Sequence, residues 1–308
     1  WLKKEMKRIF EDRVRINYMR FTENIPYPEV KIRTMKTRWG VCNRKKRYIT
    51  LNSNLIKESL TAFYLKQYCT KNNLSSSDLL SAARTLNPII YPGAGYLSIK
   101  DKKHYDEMLF NGVSMMTMGN HTFSKKELFD YIDDADRLVV PYNQPKALPG
   151  VGSREIFVKG KKVRVTNLLG ITFMDGKAQN PFEAIDEVLE NDTSDIHIVD
   201  FHAEATSEKI ALGYYLDGKV SAVLGTHTHV TTADEKILPK GTAYITDIGM
   251  TGPIDSVIGM EKKASIKRFE TTLPEKYKIA EGKAKFNSCM FEIDDNTNKV
   301  KSITRINA

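Results

Sequence analysis

The chain has 308 residues, of which 41% are hydrophobic and 28% charged. That balance is ordinary for a globular protein with a sizeable core, and no apolar run approaches the ~18 residues that a membrane span needs. The formal net charge of +9 is unevenly placed: residues 1–92 hold 19 Lys/Arg against 7 Asp/Glu, and the remainder holds 28 against 31. The basic character is therefore local, and two units of different origin are expected.

The first twenty residues read as a basic helix, with Leu2, Met6, Ile9 and Phe10 on one face. The chain opens at Trp1 without the pattern of a signal peptide, so a start further upstream is expected. After Pro26 and Pro28, Val30 to Leu51 has β-character. Residues 54–86 look helical, and Ser75 to Asp78 supply an N-cap for a short helix through Leu86. Asn87-Pro88 and Tyr91-Pro92-Gly93-Ala94-Gly95 punctuate the chain and place a boundary between units 1–92 and 93–308. Beyond it the alternation becomes regular. Ser124-Lys125-Lys126-Glu127 reads as a capping box leading a helix through Leu128, Phe129 and Ile132. Val163 to Leu169 reads as a strand, and Asn180-Pro181 opens a helix with Phe182, Ile185, Val188 and Leu189 on one face. A strand over Ile196 to Phe201, a helix over 205–216 and strands at Ser221–Leu224 and Ala243–Thr246 follow. Residues 284–293 and 299–306 form a closing hairpin. Strands alternating with helices imply an α/β sheet with helices on its faces.

Cys42, Cys69 and Cys289 are far apart and odd in number, so neither a disulfide framework nor a thiolate zinc site is suggested, and a reduced, cytoplasmic protein is expected. The histidines are more informative. Four of the six lie in three short clusters, each after an apolar strand-like run: Gly119-Asn120-His121, His202-Ala203-Glu204 and Thr226-His227-Thr228-His229. Ligands of open α/β sheets bind at the carboxyl ends of strands, so the three clusters can converge on one site. His and Asn supply neutral donors suited to Zn, Mn or Fe. In extended backbone His227 and His229 share a face, and one loop then serves two neighbouring metal ions. Gly119 and Gly225 let the backbone turn tightly beside the ligand. His197, alternating with apolar neighbours, reads as a satisfied half-buried side chain, and His104 as a solvated one in a charged helix.

Those clusters and their surroundings carry a resemblance. Met118-Gly119-Asn120-His121-Thr122, the run from Asp200 to Lys209, Gly225-Thr226-His227-Thr228-His229-Val230, Leu238 to Tyr244 and Thr246 to Pro253 are similar to the metal motifs of calcineurin-like metallophosphoesterases. Among these they resemble the bacterial YmdB-like 2',3'-cyclic-nucleotide phosphodiesterases, from about Gly93 to the C-terminus. The resemblance implies a metallophosphoesterase-type sheet flanked by helices and a site of two metal ions, Mn, Fe or Zn. It implies hydrolysis of a phosphodiester by metal-bound hydroxide. Asn120, His202 and His227 would be ligands of one metal, His229 of the other, and His121 the catalytic histidine at the leaving oxygen. The family's first-strand Asp and its Asn-Gly-Glu-Asn segment have no counterpart here. Asn87, Asp78 and Glu58 are the nearest polar candidates, and none has the right context. As few as one metal and impaired turnover are therefore expected.

Residues 31–52 carry a second resemblance. Lys31 to Cys42, followed by Tyr48-Ile49-Thr50-Leu51-Asn52, is similar to the strand region of YgjP/SprT-type zinc metallopeptidases. The HExxH helix of that family is replaced by Thr61 to Tyr68, which has neither His nor Glu, so peptidase chemistry lacks its ligands and base. The segment then reads either as a solvated β-hairpin turning at Arg44-Lys45-Lys46-Arg47 or as an RNA contact using Trp39 and Tyr48, and the hairpin is the simpler reading. The function expected is a phosphodiesterase acting on a cyclic nucleotide or other phosphodiester substrate. The alternative is an inactive one-metal remnant that binds nucleotide or RNA.

Overall fold

The structure is a computed structural model that describes residues 29–33, 40–43, 48–52, 89–91, 102–110 and 113–307. The expected helices at 1–20 and 54–86, the Ser75–Asp78 cap, Trp39, and Asn87, Asp78 and Glu58 lie outside the described residues. The chain divides into two compact units, Trp1–Thr85 and Leu86–Ala308.

In the first unit β1 (Glu29–Arg33), β2 (Gly40–Asn43) and β3 (Tyr48–Asn52) form a three-stranded sheet in the order β1-β3-β2. Strand β3 runs parallel to β1 and antiparallel to β2, with Asn43 opposite Tyr48. That register is the expected hairpin, although Arg44 to Arg47 themselves lie outside the described residues.

The second unit begins with β4 (Ile89–Tyr91), α1 (Lys102–Phe110), β5 (Val113–Thr117) and β6 (Leu138–Val139). These strands make a parallel sheet in the order β4-β5-β6. The sequence boundary at Gly93 thus falls after a strand that pairs within the second unit. Next come β7 (Ser153–Val158), β8 (Lys161–Leu169), α2 (Pro181–Leu189), β9 (Ile196–His202), α3 (Thr206–Tyr215) and β10 (Ala222–Thr226). They are followed by β11 (Lys236–Ile237), β12 (Ala243–Ile245), β13 (Gly252–Pro253) and α4 (Lys262–Thr271). The chain closes with β14 (Ala284–Lys285), β15 (Asn287–Ile293) and β16 (Val300–Asn307). The central sheet has the order β11-β12-β10-β9-β8-β7, with β8, β9, β10 and β12 parallel and the two edge strands antiparallel. The hairpin expected at the end is β15 paired with β16.

The two-residue pleat decides what each face of this sheet carries. Val199 and Phe201 of β9, with Val223 of β10, pack beneath the helices against Ile185 of α2 and Leu212 of α3. Ile198 and Leu224 point the other way, into a core with Met115 of β5 and Val139 of β6. Asp200, His202 and Thr226 continue that second register, so they are delivered between the central sheet and the β4-β5-β6 sheet. Helix α2 starts as its sequence dictates: the Asn180 side chain accepts the Phe182 N–H, and Pro181 occupies the first turn.

The capping box does not form. Ser124 makes no cap hydrogen bond, and Lys125 is extended at φ −118°, ψ 125°. The segment folds instead as three 3-10 turns, Thr122–Ser124, Lys126–Asp130 and Ile132–Asp134. Leu128 and Ile132 are still buried while Phe129 is exposed, so the demand of the core is met without an α-helix. Among the described residues no helix is long and apolar enough to cross a membrane.

Candidate active site

His202 ends β9, Thr226 ends β10 directly opposite it, and Thr117 ends β5 three residues before Asn120. The carboxyl ends of strands from two sheets therefore meet at one place. Asp200 is 1% exposed, and both of its oxygens are committed: Oδ1 accepts the Thr226 hydroxyl at 2.7 Å and Oδ2 the Thr117 hydroxyl at 2.5 Å. Because the Thr226 hydrogen goes to Asp200, its Oγ1 must accept from His202 Nδ1, 3.0 Å away. Burial, followed by the electrostatic influence of His227 and Lys209, holds the His202 pKa well below the usual imidazole range. His202 is thus neutral, protonated on Nδ1, with a lone pair on Nε2.

That lone pair faces Asn120 Oδ1 at 3.0 Å and His227 Nδ1 at 3.1 Å. Burial also lowers the His227 pKa, against the opposing pull of Glu204. Its Nε2 lies 3.0 Å from Glu204 Oε2, and a carboxylate can only accept, so Nε2 carries the proton and Nδ1 the lone pair. Three acceptors therefore converge with no hydrogen between them, an arrangement that a cation relieves. A divalent ion with bonds of about 2.1 Å at right angles sets its donors about 3.0 Å apart. The donor set fits a metal. Among the described residues no group of three or more His, Cys, Asp or Glu side chains could hold a metal ion, and here the third donor is Asn120.

His229 is placed differently. It is exposed, and its Nδ1 donates to the Ile258 carbonyl at 3.0 Å. The expectation that His227 and His229 share the face of an extended strand is corrected. Strand β10 stops at Thr226, and φ is 105° at His227 and 66° at His229, so the two rings diverge. His229 still contributes electrostatically at both His202 and His227. His121 is exposed beside Asn120, with Nδ1 3.4 Å from Ser124 Oγ.

The glycines also act otherwise than expected. Neither Gly119 nor Gly225 has a positive φ. Their need is room: a Cβ at Gly119 would lie 2.5 Å from the His202 ring, and one at Gly225 would lie 1.7 Å from the Thr246 carbonyl oxygen. His197 is a buried core histidine, with Thr166 Oγ1 2.8 Å from Nε2 and an Asp192 carboxylate oxygen 2.6 Å from Nδ1. His104 is half-buried on α1.

Sequence reasoning missed the Asp200–Thr226 relay, the Thr117 link and the role of Glu204 toward His227. The alternation Asp200-Phe201-His202 was the available signal for the first, since it places both polar residues on one face.

Residues 94–306 match the YmdB-like protein family, and residues 1–62 match the YgjP-like metallopeptidase domain. The chain is 50% identical over 207 residues to the 2',3'-cyclic-nucleotide 2'-phosphodiesterase of Bacillus subtilis, covering 67% of this chain and 78% of that one. Two solved structures are similar. A hypothetical protein from Thermus thermophilus has 38% identity and a TM-score of 0.69, over 74% of this chain and 90% of that one. A novel phosphatase from Mycoplasma pneumoniae has 35% identity and a TM-score of 0.68, over 83% and 88%. With the strand ends, the histidine clusters and these likenesses together, the chain belongs to the YmdB-like family and is a hydrolase of the metallophosphoesterase type.

Proposed function

We propose that the chain hydrolyses the phosphodiester bond of a 2',3'-cyclic nucleotide with a divalent metal (Mn, Fe or Zn) held by Asn120 Oδ1, His202 Nε2 and His227 Nδ1. The single observation that carries this is the convergence of those three lone pairs at 3.0 and 3.1 Å. The name of the Bacillus subtilis relative supports the substrate class. When bound, such an ion supplies Lewis acidity toward water and a phosphoryl oxygen. The residues supply the rest. The Asp200–Thr226 relay fixes the His202 tautomer, and Glu204 fixes that of His227. His121, exposed beside Asn120, delivers a proton to the leaving ribose oxygen. His229, with Nδ1 given to Ile258, offers Nε2 to a second ion.

A second reading is favoured by one feature of the donor set. Asn120, His202 and His227 are all neutral, and charge repulsion between two close cations needs anionic ligands to offset it. On that reading the chain binds one metal and a nucleotide without turnover. The unit before the phosphoesterase is proposed to be non-catalytic, since the sequence contains no HExxH. Its excess of Lys and Arg makes it the place to look for RNA contact. Manganese titration beside release of nucleotide from 2',3'-cyclic AMP separates the readings. Turnover that needs manganese and is lost in His202→Ala supports the enzyme, tight nucleotide binding with no turnover supports the remnant, and neither overturns both.

A further inference from the structure

Beneath the histidine loop lies a buried ion pair that the proposed chemistry does not use. Lys209, on the first turn of α3, and Asp247, two residues past β12, are each 1% exposed, with Nζ 2.7 Å from Oδ2. Lysine is almost never buried this fully unless it is paired. A hydrophobic pair would hold the core as well, so the charges need another reason to be there. The remaining bonds of Asp247 suggest it. Oδ2 also accepts the Thr228 N–H at 3.1 Å, and Oδ1 accepts the Gly249 N–H at 2.8 Å. Thr228 is the residue between His227 and His229, and both histidines sit at positive φ, where side-chain-bearing residues are uncommon. Ile248 N–H further ties this segment to the Gly225 carbonyl, and a Cβ at Gly225 would approach the Lys209 stem at 3.2 Å.

We infer that the Lys209–Asp247 pair is a positioning device. By holding the Thr228 amide, it keeps His227 and His229 in left-handed backbone and so aims the His227 ring at His202. The inference rests on the reading of His227 as a metal donor, but its geometric part can be measured without metal. Lys209 comes from the helix that follows His202, and Asp247 from the segment just past β12, beyond the histidine loop. The pair thereby ties the two donor-bearing segments together across β9, β10 and β12. A carboxylate, with two acceptor oxygens, is the group that can serve Lys209, Thr228 and Gly249 together.

The test uses the full chain with the double substitution Lys209→Met/Asp247→Asn, which removes both charges and leaves no buried ion unpaired. Asn has one acceptor oxygen, so the amides of Thr228 and Gly249 cannot both be satisfied. The control is Asp234→Asn, a half-buried carboxylate whose hydrogen bonds go to Thr232 and Thr246. In the double variant the Thr228 amide is expected to exchange with deuterium at least tenfold faster, and manganese alone to bind at least tenfold more weakly, with the far-UV spectrum and cooperative melting kept. Asp234→Asn is expected to change neither quantity. Wild-type exchange and manganese affinity in a folded double variant would overturn the inference, as would equal losses in Asp234→Asn. Wild-type protein that takes up no manganese would refute the metal reading alone, and the exchange measurement would still decide this one. If the double variant does not fold, the wild-type Thr228 amide decides: exchange as slow as that of Leu224 in β10 supports the anchor, and exchange at the rate of an open loop overturns it.

Discussion

Gly119→Ala places one methyl group against the His202 ring. A Cβ there would lie 2.5 Å from Cε1 and Nε2 and 2.8 Å from Nδ1, against an ordinary contact that begins near 3.4 Å. The ring would have to move by about 0.9 Å to restore normal contact. It has little freedom to do so, being 8% exposed, tied to Thr226 Oγ1 at 3.0 Å, and packed edge-on against His227 with centroids 4.8 Å apart. A displacement of that size takes a 3.0 Å hydrogen bond past its useful range. Overpacking costs about 1–3 kcal/mol and the lost buried bond about 1–3 kcal/mol more, so a total on the order of 2–6 kcal/mol is expected. For a unit of this size that is a melting point lower by roughly 5–15 °C. A misplacement of about 1 Å at the reacting centre costs about 100-fold in turnover. Differential scanning calorimetry and hydrolysis of bis(p-nitrophenyl) phosphate with manganese measure the two effects. A Gly119→Ala protein with wild-type melting and turnover would show that His202 is not held as described.

Two further outcomes follow from neighbouring contacts. Thr226→Val removes the acceptor that fixes the Nδ1 proton of His202 and is expected to weaken manganese binding about 10–100-fold while leaving the fold intact, as read by calorimetry. Unchanged affinity would discount the relay. At Asp192, burial alone would raise the carboxyl pKa, but hydrogen bonds from His197 and Ser194 outweigh it and hold it well below the usual carboxylate range. A depressed folded pKa gives stability that is present above the unfolded value near ~4 and lost as pH falls toward the folded one. Asp192→Asn should therefore lower the urea midpoint at pH 7, and its gap to wild type should narrow steadily as pH falls below ~4 toward the folded pKa; a gap that stays constant across that range would contradict the assignment.

What the sequence made legible is what has a short period. The alternation in Ile196 to His202 showed a strand, the Asn180-Pro181 pair a helix start, and three polar clusters after apolar runs a site at strand ends. Features set by distant partners were not legible. Thr226 and Asp200 lie 26 residues apart and Lys209 and Asp247 38 apart, so neither the relay nor the ion pair leaves a local pattern. The left-handed backbone at His227 and His229 is invisible because nothing in His-Thr-His marks it, and it is held from outside by Asp247. The capping box at Ser124 misled because its local chemistry is sound. The extended conformation at Lys125 breaks its register while Leu128 and Ile132 reach the core.

The central claim is that Asn120, His202 and His227 hold a metal that hydrolysis requires. Its most direct measurement is the rate of 2',3'-cyclic AMP hydrolysis by the full chain, stripped of metal and then titrated with manganese, in wild type and in His227→Ala. Turnover is expected to appear with manganese in wild type, to saturate with the manganese bound per chain, and to fall at least 100-fold in His227→Ala, the scale set by removing a group that aligns the reacting centre. Hydrolysis that survives both metal removal and His227→Ala would contradict it.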